Sequence, residues 1–178
     1  MENQPKSISA HALTWGAITA VVLIVYSLLL FITNLYMNKA LGYVNYAIMI
    51  AGMAWGALQY RKLYSNGFLS YGKAFSASFM IGLVASVISI IYFFIYIKFI
   101  NTNMITEMLE QTRQQMEANA NGMSPEQMDK ALEMTTKFMQ PAWMMVFGLL
   151  MYVIASAIFG AIIAIFVKKE DPSINPIA

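Results

Sequence analysis

Residues 142–167 read AWMMVFGLLMYVIASAIFGAIIAIFV, 26 positions without one charged side chain. The hydrocarbon core of a bilayer takes about 20 apolar residues of α-helix to cross. This run is long enough, and helix is the structure it must take there, because the bilayer interior offers no water to backbone N–H and C=O groups. Working outward toward the N-terminus, three more charge-free runs of spanning length appear: Ala12–Met37, Ala40–Tyr60 and Ala74–Ile97. The fold class that follows is all-α, a four-helix transmembrane bundle with an extramembrane helical hairpin between the third and fourth spans. The division along the chain is a tail 1–11, spans 12–37 and 40–60, a basic connection 61–73, a span 74–97, the hairpin 101–140, a last span 141–167 and a tail 168–178.

Composition agrees. Hydrophobic residues make up 59% of the chain and charged residues 11%, where about 45–50% and about 25% are usual in soluble domains. So few charges cannot cover a soluble surface. They also exclude a disordered tail and a nucleic-acid binder. There is no cysteine, hence no disulfide, thiolate nucleophile or thiolate metal site. The first run exceeds the roughly 7–15 apolar residues of a signal peptide, and no small-residue cleavage site follows it. It is expected to stay as a membrane span.

Asn38–Lys39 is expected to form a two-residue turn that makes the first two spans antiparallel neighbours. An even number of spans puts Lys6, Arg61, Lys62, Lys73, Lys168 and Lys169 on one side, and Lys39, Lys98, Arg113, Lys130 and Lys137 on the other. The excess of basic residues near the ends predicts cytoplasmic termini in a plasma (inner) membrane. Arg61, Lys62 and Lys73 would then face anionic lipid headgroups. His11, the only histidine, reads as a polar residue at the mouth of the first span.

The segment after the third span carries its own helical code. Thr102 or Asn103 can cap a helix with Glu107 in its first turn, and Met104, Met108 and Met116 share one face. Asn119–Gly122 would end it, with Gly122 as a left-handed cap. Ser124-Pro125-Glu126-Gln127 is a capping box with proline at the first helical position. Met128 and Leu132 mark the apolar face of the second helix, and Pro141 the joint to the last span. This stripe (Met104, Met108, Met116, Met128, Leu132) is a candidate partner surface. Thioethers also bind Cu(I), but helical spacing of the methionines reads as packing, and no metal or cofactor is expected.

Small residues recur every fourth position in each span, at Gly16, at Gly52 and Gly56, at Gly82 and at Gly160 among others. They let helix backbones approach closely, either within the chain or between copies. No Asp, Glu, Lys or Arg lies inside any of the four runs, where ion-coupled transporters and proton relays place them. No nucleophile–base pair or metalloprotease, hydrolase or phosphate-loop motif occurs. The chain is expected not to be an enzyme.

Three stretches carry a family resemblance: Gly67-Phe68-Leu69-Ser70-Tyr71-Gly72-Lys73-Ala74-Phe75, then Tyr96-Ile97-Lys98-Phe99-Ile100-Asn101, and Gly122-Met123-Ser124-Pro125-Glu126-Gln127 with Lys168-Lys169-Glu170 after the last span. With the four-span layout, the chain resembles the bacterial membrane-protein family called domain of unknown function 4199. The resemblance implies four spans and a bacterial inner membrane, and no activity. The functional expectation is a structural, assembly or regulatory membrane protein. Its partners would be the lipid bilayer and a membrane protein or a second copy of itself. The alternative is a subunit of an oligomeric transporter or channel.

Overall fold

Ser7 opens the first helix by accepting the Ala10 N–H on its hydroxyl at 3.2 Å, the side-chain cap a helix start needs. The computed structural model describes residues 7–118 and 124–171, and among these the chain is all-helical apart from its connections. Helix α1 runs Ile8–Ile32, so it begins before the charge-free run and ends inside it. The expected boundary at Met37 is corrected. Asn34 takes a left-handed backbone (φ 54°), and Leu35 N–H closes onto Leu30 C=O at 2.8 Å, which stops the helix. The expected two-residue turn is corrected as well. Residues 33–38 form the connection, and the Asn38 side chain accepts the Ala40 N–H at 2.9 Å as the cap of α2 (Lys39–Tyr64). Asparagine prefers such caps because its short side chain reaches backbone donors. The Asn45 amide donates to the Gly42 carbonyl of its own helix at 3.3 Å.

Helix α2 passes its expected end at Tyr60 and carries Arg61 and Lys62 in its last turn, where cations suit the negative end of the helix dipole. Helix α3 runs Tyr71–Ile95 and continues as one wide π-turn over Tyr96–Ile100. There Asn101 N–H bonds Tyr96 C=O at 2.8 Å. Helices α4 (Met104–Ala118), α5 (Pro125–Phe138) and α6 (Pro141–Val167) follow. Four stretches are long and apolar enough to cross a bilayer: α1, α2, α3 with its π-turn, and α6. This is a multi-pass membrane protein.

The chain divides into two compact units. The first takes residues up to Ser89 and from Met151 onward. Its core gathers Met49, Met53, Ala57, Ile81 and Ala164, all at 1% exposure or less. Helix α3 is the neighbour shared by the others, and small residues set the distances. A Cβ on Gly16 would come within 2.6 Å of Val84 and 2.9 Å of the Ile81 carbonyl. One on Gly82 would meet the Ser156 hydroxyl at 2.7 Å, and one on Gly56 would meet Ile81 at 2.6 Å. A Cβ on Gly52 would strike Thr19, and Gly160 faces the Phe79 backbone. In lipid, such close fit supplies the attraction that water exclusion supplies elsewhere. Four buried hydroxyls are satisfied one turn back: Thr19 on Trp15 C=O, Ser78 on Ala74, Ser86 on Gly82 and Ser156 on Tyr152, at 2.7–2.9 Å. The outward side chains are apolar, among them Val21, Leu29, Ile158 and Phe166, as a lipid-facing surface requires.

The second unit spans Ile90–Leu150. At the start of α5, Ser124 Oγ accepts the Gln127 N–H and the Gln127 side chain accepts the Ser124 N–H, at 3.3 and 3.1 Å. This is the complete capping box. Helices α4 and α5 touch. The expected Asn119–Gly122 turn with its Gly122 cap lies outside the described residues. Exposed ion pairs Arg113–Glu117, Lys130–Glu126 and Lys137–Glu133 hold the solvated faces at 2.9–3.0 Å. Phe138, Trp143 and Phe147 pack ring against ring across the joint from α5 to α6.

Candidate functional site

At one end of the first unit α1 and α3 begin and α2 and α6 finish. The connection between α2 and α3 lies there. Asn66 and Gly67 both take left-handed backbone, φ 48° and 83°, which asparagine and glycine tolerate best. The reversal brings Phe68 N–H onto Ser65 C=O at 2.8 Å. It aims Leu69 at the segment that leaves α6. Leu69 and Lys169 then exchange both backbone hydrogen bonds, at 2.7 and 2.8 Å, as an isolated antiparallel bridge. The Leu69 side chain is 2% exposed and joins the core. The Lys169 ammonium sits 5.5 Å from the centre of the Phe68 ring, within cation–π range.

Arg61 fixes the same junction from α2. Its Nη1 donates to the Val167 carbonyl at 2.6 Å, satisfying one of the carbonyls that a helix end leaves without an internal partner. So Arg61, expected to face lipid headgroups, has its guanidinium turned onto the end of α6. Lys62 and Lys73 are exposed. Lys73 lies in the first turn of α3 and lines a groove of about 560 Å³ between the α2–α3 connection and the segment after α6. Tyr64, Phe68, Lys169, Glu170 and Asp171 line it too.

His11 corrects another expectation. It lies inside the unit at 4% exposure rather than at an open mouth. The helix begins at Ile8, so His11 is one turn in and packs against Trp15, Tyr60 and Tyr64, with ring centres 5.3–6.2 Å away. Its Nε2 lies 2.8 Å from the Gly56 carbonyl. A carbonyl only accepts, so Nε2 carries the proton in that bond. Tyr64 therefore touches the His11 cluster on one side and lines the groove on the other. Among the described residues no three His, Asp or Glu side chains gather where a metal ion would sit.

The methionine stripe belongs to the second unit. Met104, Met108 and Met116 on α4 and Met128 and Leu132 on α5 are each half-buried, while the flanking charged positions of these helices are mostly exposed. Met134 and Phe138 on α5 are more open, at 60% and 50%. The glycines named from the sequence are contact points inside the first unit, as the Cβ distances above record.

Sequence reasoning did not find the Leu69–Lys169 bridge or the groove beside it. The signal was present in pieces. Gly67–Phe75 and Lys168-Lys169-Glu170 were among the stretches that carried the family resemblance, and the fold brings these two together. A family model described as protein of unknown function, DUF4199, matches residues 14–169. No curated protein and no solved structure matches the chain.

Proposed function

The chain belongs to the DUF4199 family of proteins of unknown function, and on that footing we propose that it is a non-enzymatic membrane component with a structural, assembly or regulatory role. The observation that carries this reading is the filled interior of the first unit. Gly16, Gly52, Gly56 and Gly82 each abut a side chain of a neighbouring span, and the hydroxyls of Thr19, Ser78, Ser86 and Ser156 are bonded within their own helices. Such a core serves as a scaffold.

On this reading the membrane is a bacterial inner membrane and both termini are cytoplasmic. Arg61, Lys62, Lys73, Lys168 and Lys169 at the bridged end support that orientation. Reporter fusions after Asn121 and Ala178 test it. Activity of the Asn121 fusion only in the cytoplasm reverses it.

Helices α4 and α5 supply the partner surface, supported by the apolar stripe of Met104, Met108, Met116, Met128 and Leu132; Met134 is exposed on another side of α5. In-cell photo-crosslinking from Met116, Met128 and Met134 tests this. A reproducible product with another membrane protein is the expected result. Products with a second copy alone, together with solute flux in proteoliposomes, would replace this reading with an oligomeric transporter or channel.

A further inference from the structure

The groove beside the Leu69–Lys169 bridge has features that the scaffold reading does not use. It lies where α2 and α6 end and α3 begins, so it sits at the edge of the apolar slab that these helices define. Its lining carries both signs of charge. Lys73 and Lys169 are among its lining residues, and so are Glu170 and Asp171. Phe68 and Tyr64 add aromatic surface. A volume of about 560 Å³ falls in the range of small-molecule pockets, about 300–1,000 Å³. Leu63 and Phe166, in the last turns of α2 and α6, are exposed apolar side chains.

We propose that this groove binds the headgroup of a zwitterionic phospholipid, with the phosphate on Lys73 and Lys169 and a primary ammonium on Glu170 and Asp171. Two positive and two negative side chains in one groove match a ligand that carries one charge of each sign. A purely anionic headgroup would meet repulsion from the two carboxylates. A primary ammonium donates three hydrogen bonds to carboxylates, which a quaternary ammonium cannot do. The headgroup is therefore phosphoethanolamine rather than phosphocholine or phosphoglycerol. The backbone bridge holds the groove in shape without using any of the four charged side chains, since it is made by main-chain atoms alone. The inference is independent of what α4 and α5 bind.

The test is native mass spectrometry of the full-length protein in detergent, titrated with phosphatidylethanolamine, phosphatidylcholine and phosphatidylglycerol of identical acyl chains. The wild type is expected to retain phosphatidylethanolamine about tenfold better than either of the others, the scale of one charge-assisted hydrogen bond. The double variant Lys73→Gln/Lys169→Gln is expected to lose that retention about tenfold. The double variant Glu170→Gln/Asp171→Asn is expected to lose the preference for ethanolamine over choline and to gain affinity for phosphatidylglycerol. Equal retention of all three lipids by the wild type overturns the proposal, and so does a wild-type preference for phosphatidylglycerol. An unchanged ethanolamine preference in both double variants places any binding elsewhere and also overturns it. Because the wild-type comparison stands alone, failure of a variant to fold does not remove the test.

Discussion

Leu69 and Lys169 exchange two backbone hydrogen bonds, at 2.7 and 2.8 Å, and tie the α2–α3 connection to the segment that leaves the last span. Each bond is main chain to main chain, so side-chain changes at Lys169 leave it in place while loss of the N–H does not. Lys169→Pro is expected to lower stability by about 1–3 kcal/mol, the scale of a backbone group left without its partner. Lys169→Gln is expected to stay within about 0.5 kcal/mol of wild type. Thermal unfolding in detergent, followed by size-exclusion fluorescence, compares the two.

Arg61 acts on the same junction through its side chain. Its bond to the Val167 carbonyl at 2.6 Å is charge-assisted and half-buried, worth about 1.5–3 kcal/mol at most. Arg61→Met keeps the apolar stem and removes the donor, so the expected loss is at the lower end of that range. Rescue by Arg61→Lys is expected to be partial, since one ammonium replaces a planar fork. Chemical unfolding of the three proteins in mixed micelles checks the order.

Gly16 and Gly72 predict opposite outcomes for the same substitution. A methyl at Gly16 meets Val84 at 2.6 Å and the Ile81 carbonyl at 2.9 Å, while a methyl at Gly72 meets nothing within 4 Å. Gly16→Ala is expected to destabilise by about 1–3 kcal/mol through overpacking. Gly72→Ala is expected to be neutral or to stabilise by about 0.4–1 kcal/mol, as alanine costs less chain entropy in a helix. Melting temperatures of the two variants should fall on either side of wild type.

Ser124 tests a local feature. Replacing it with alanine removes the hydroxyl that accepts the Gln127 N–H, a change worth about 1 kcal/mol at a helix start. Hydrogen–deuterium exchange is expected to quicken at the first turn of α5 and to leave α1, α2 and α3 unchanged. Faster exchange throughout the chain would mean that α5 is not a separately opening element.

The features that were legible in the sequence share a physical trait: they depend on neighbours along the chain. The four spans could be read because a charge-free run is a local property, and the Ser124 box because its partners are three residues apart. The ends of the spans were less legible. Asn34 stops α1 through its own backbone angle, and Arg61 and Lys62 prolong α2 because long basic side chains extend beyond the apolar slab while the helix continues. The burial of His11 and the pairing of Leu69 with Lys169 were not legible, since both are set by residues distant in the chain. The groove has the same origin: its lysines and carboxylates come from the two sides of that bridge.

The hydroxyls of Thr19, Ser78, Ser86 and Ser156 each bond a carbonyl of their own helix. At these positions a span is chemically complete before it meets another span. None of these four hydroxyls leaves an unmet polar demand in a lone span, and nothing at these sites rewards one helix partner over another by hydrogen bonding. At these positions sorting falls to shape, with the notches at Gly16, Gly52 and Gly82 admitting only a neighbour of matching relief, while hydrogen bonds between spans are made elsewhere, by His11 to the Gly56 carbonyl and by Arg61 to the Val167 carbonyl. Assembly becomes a problem of steric selection in two dimensions, sensitive to a single added methyl and indifferent to the polarity of the buried serines.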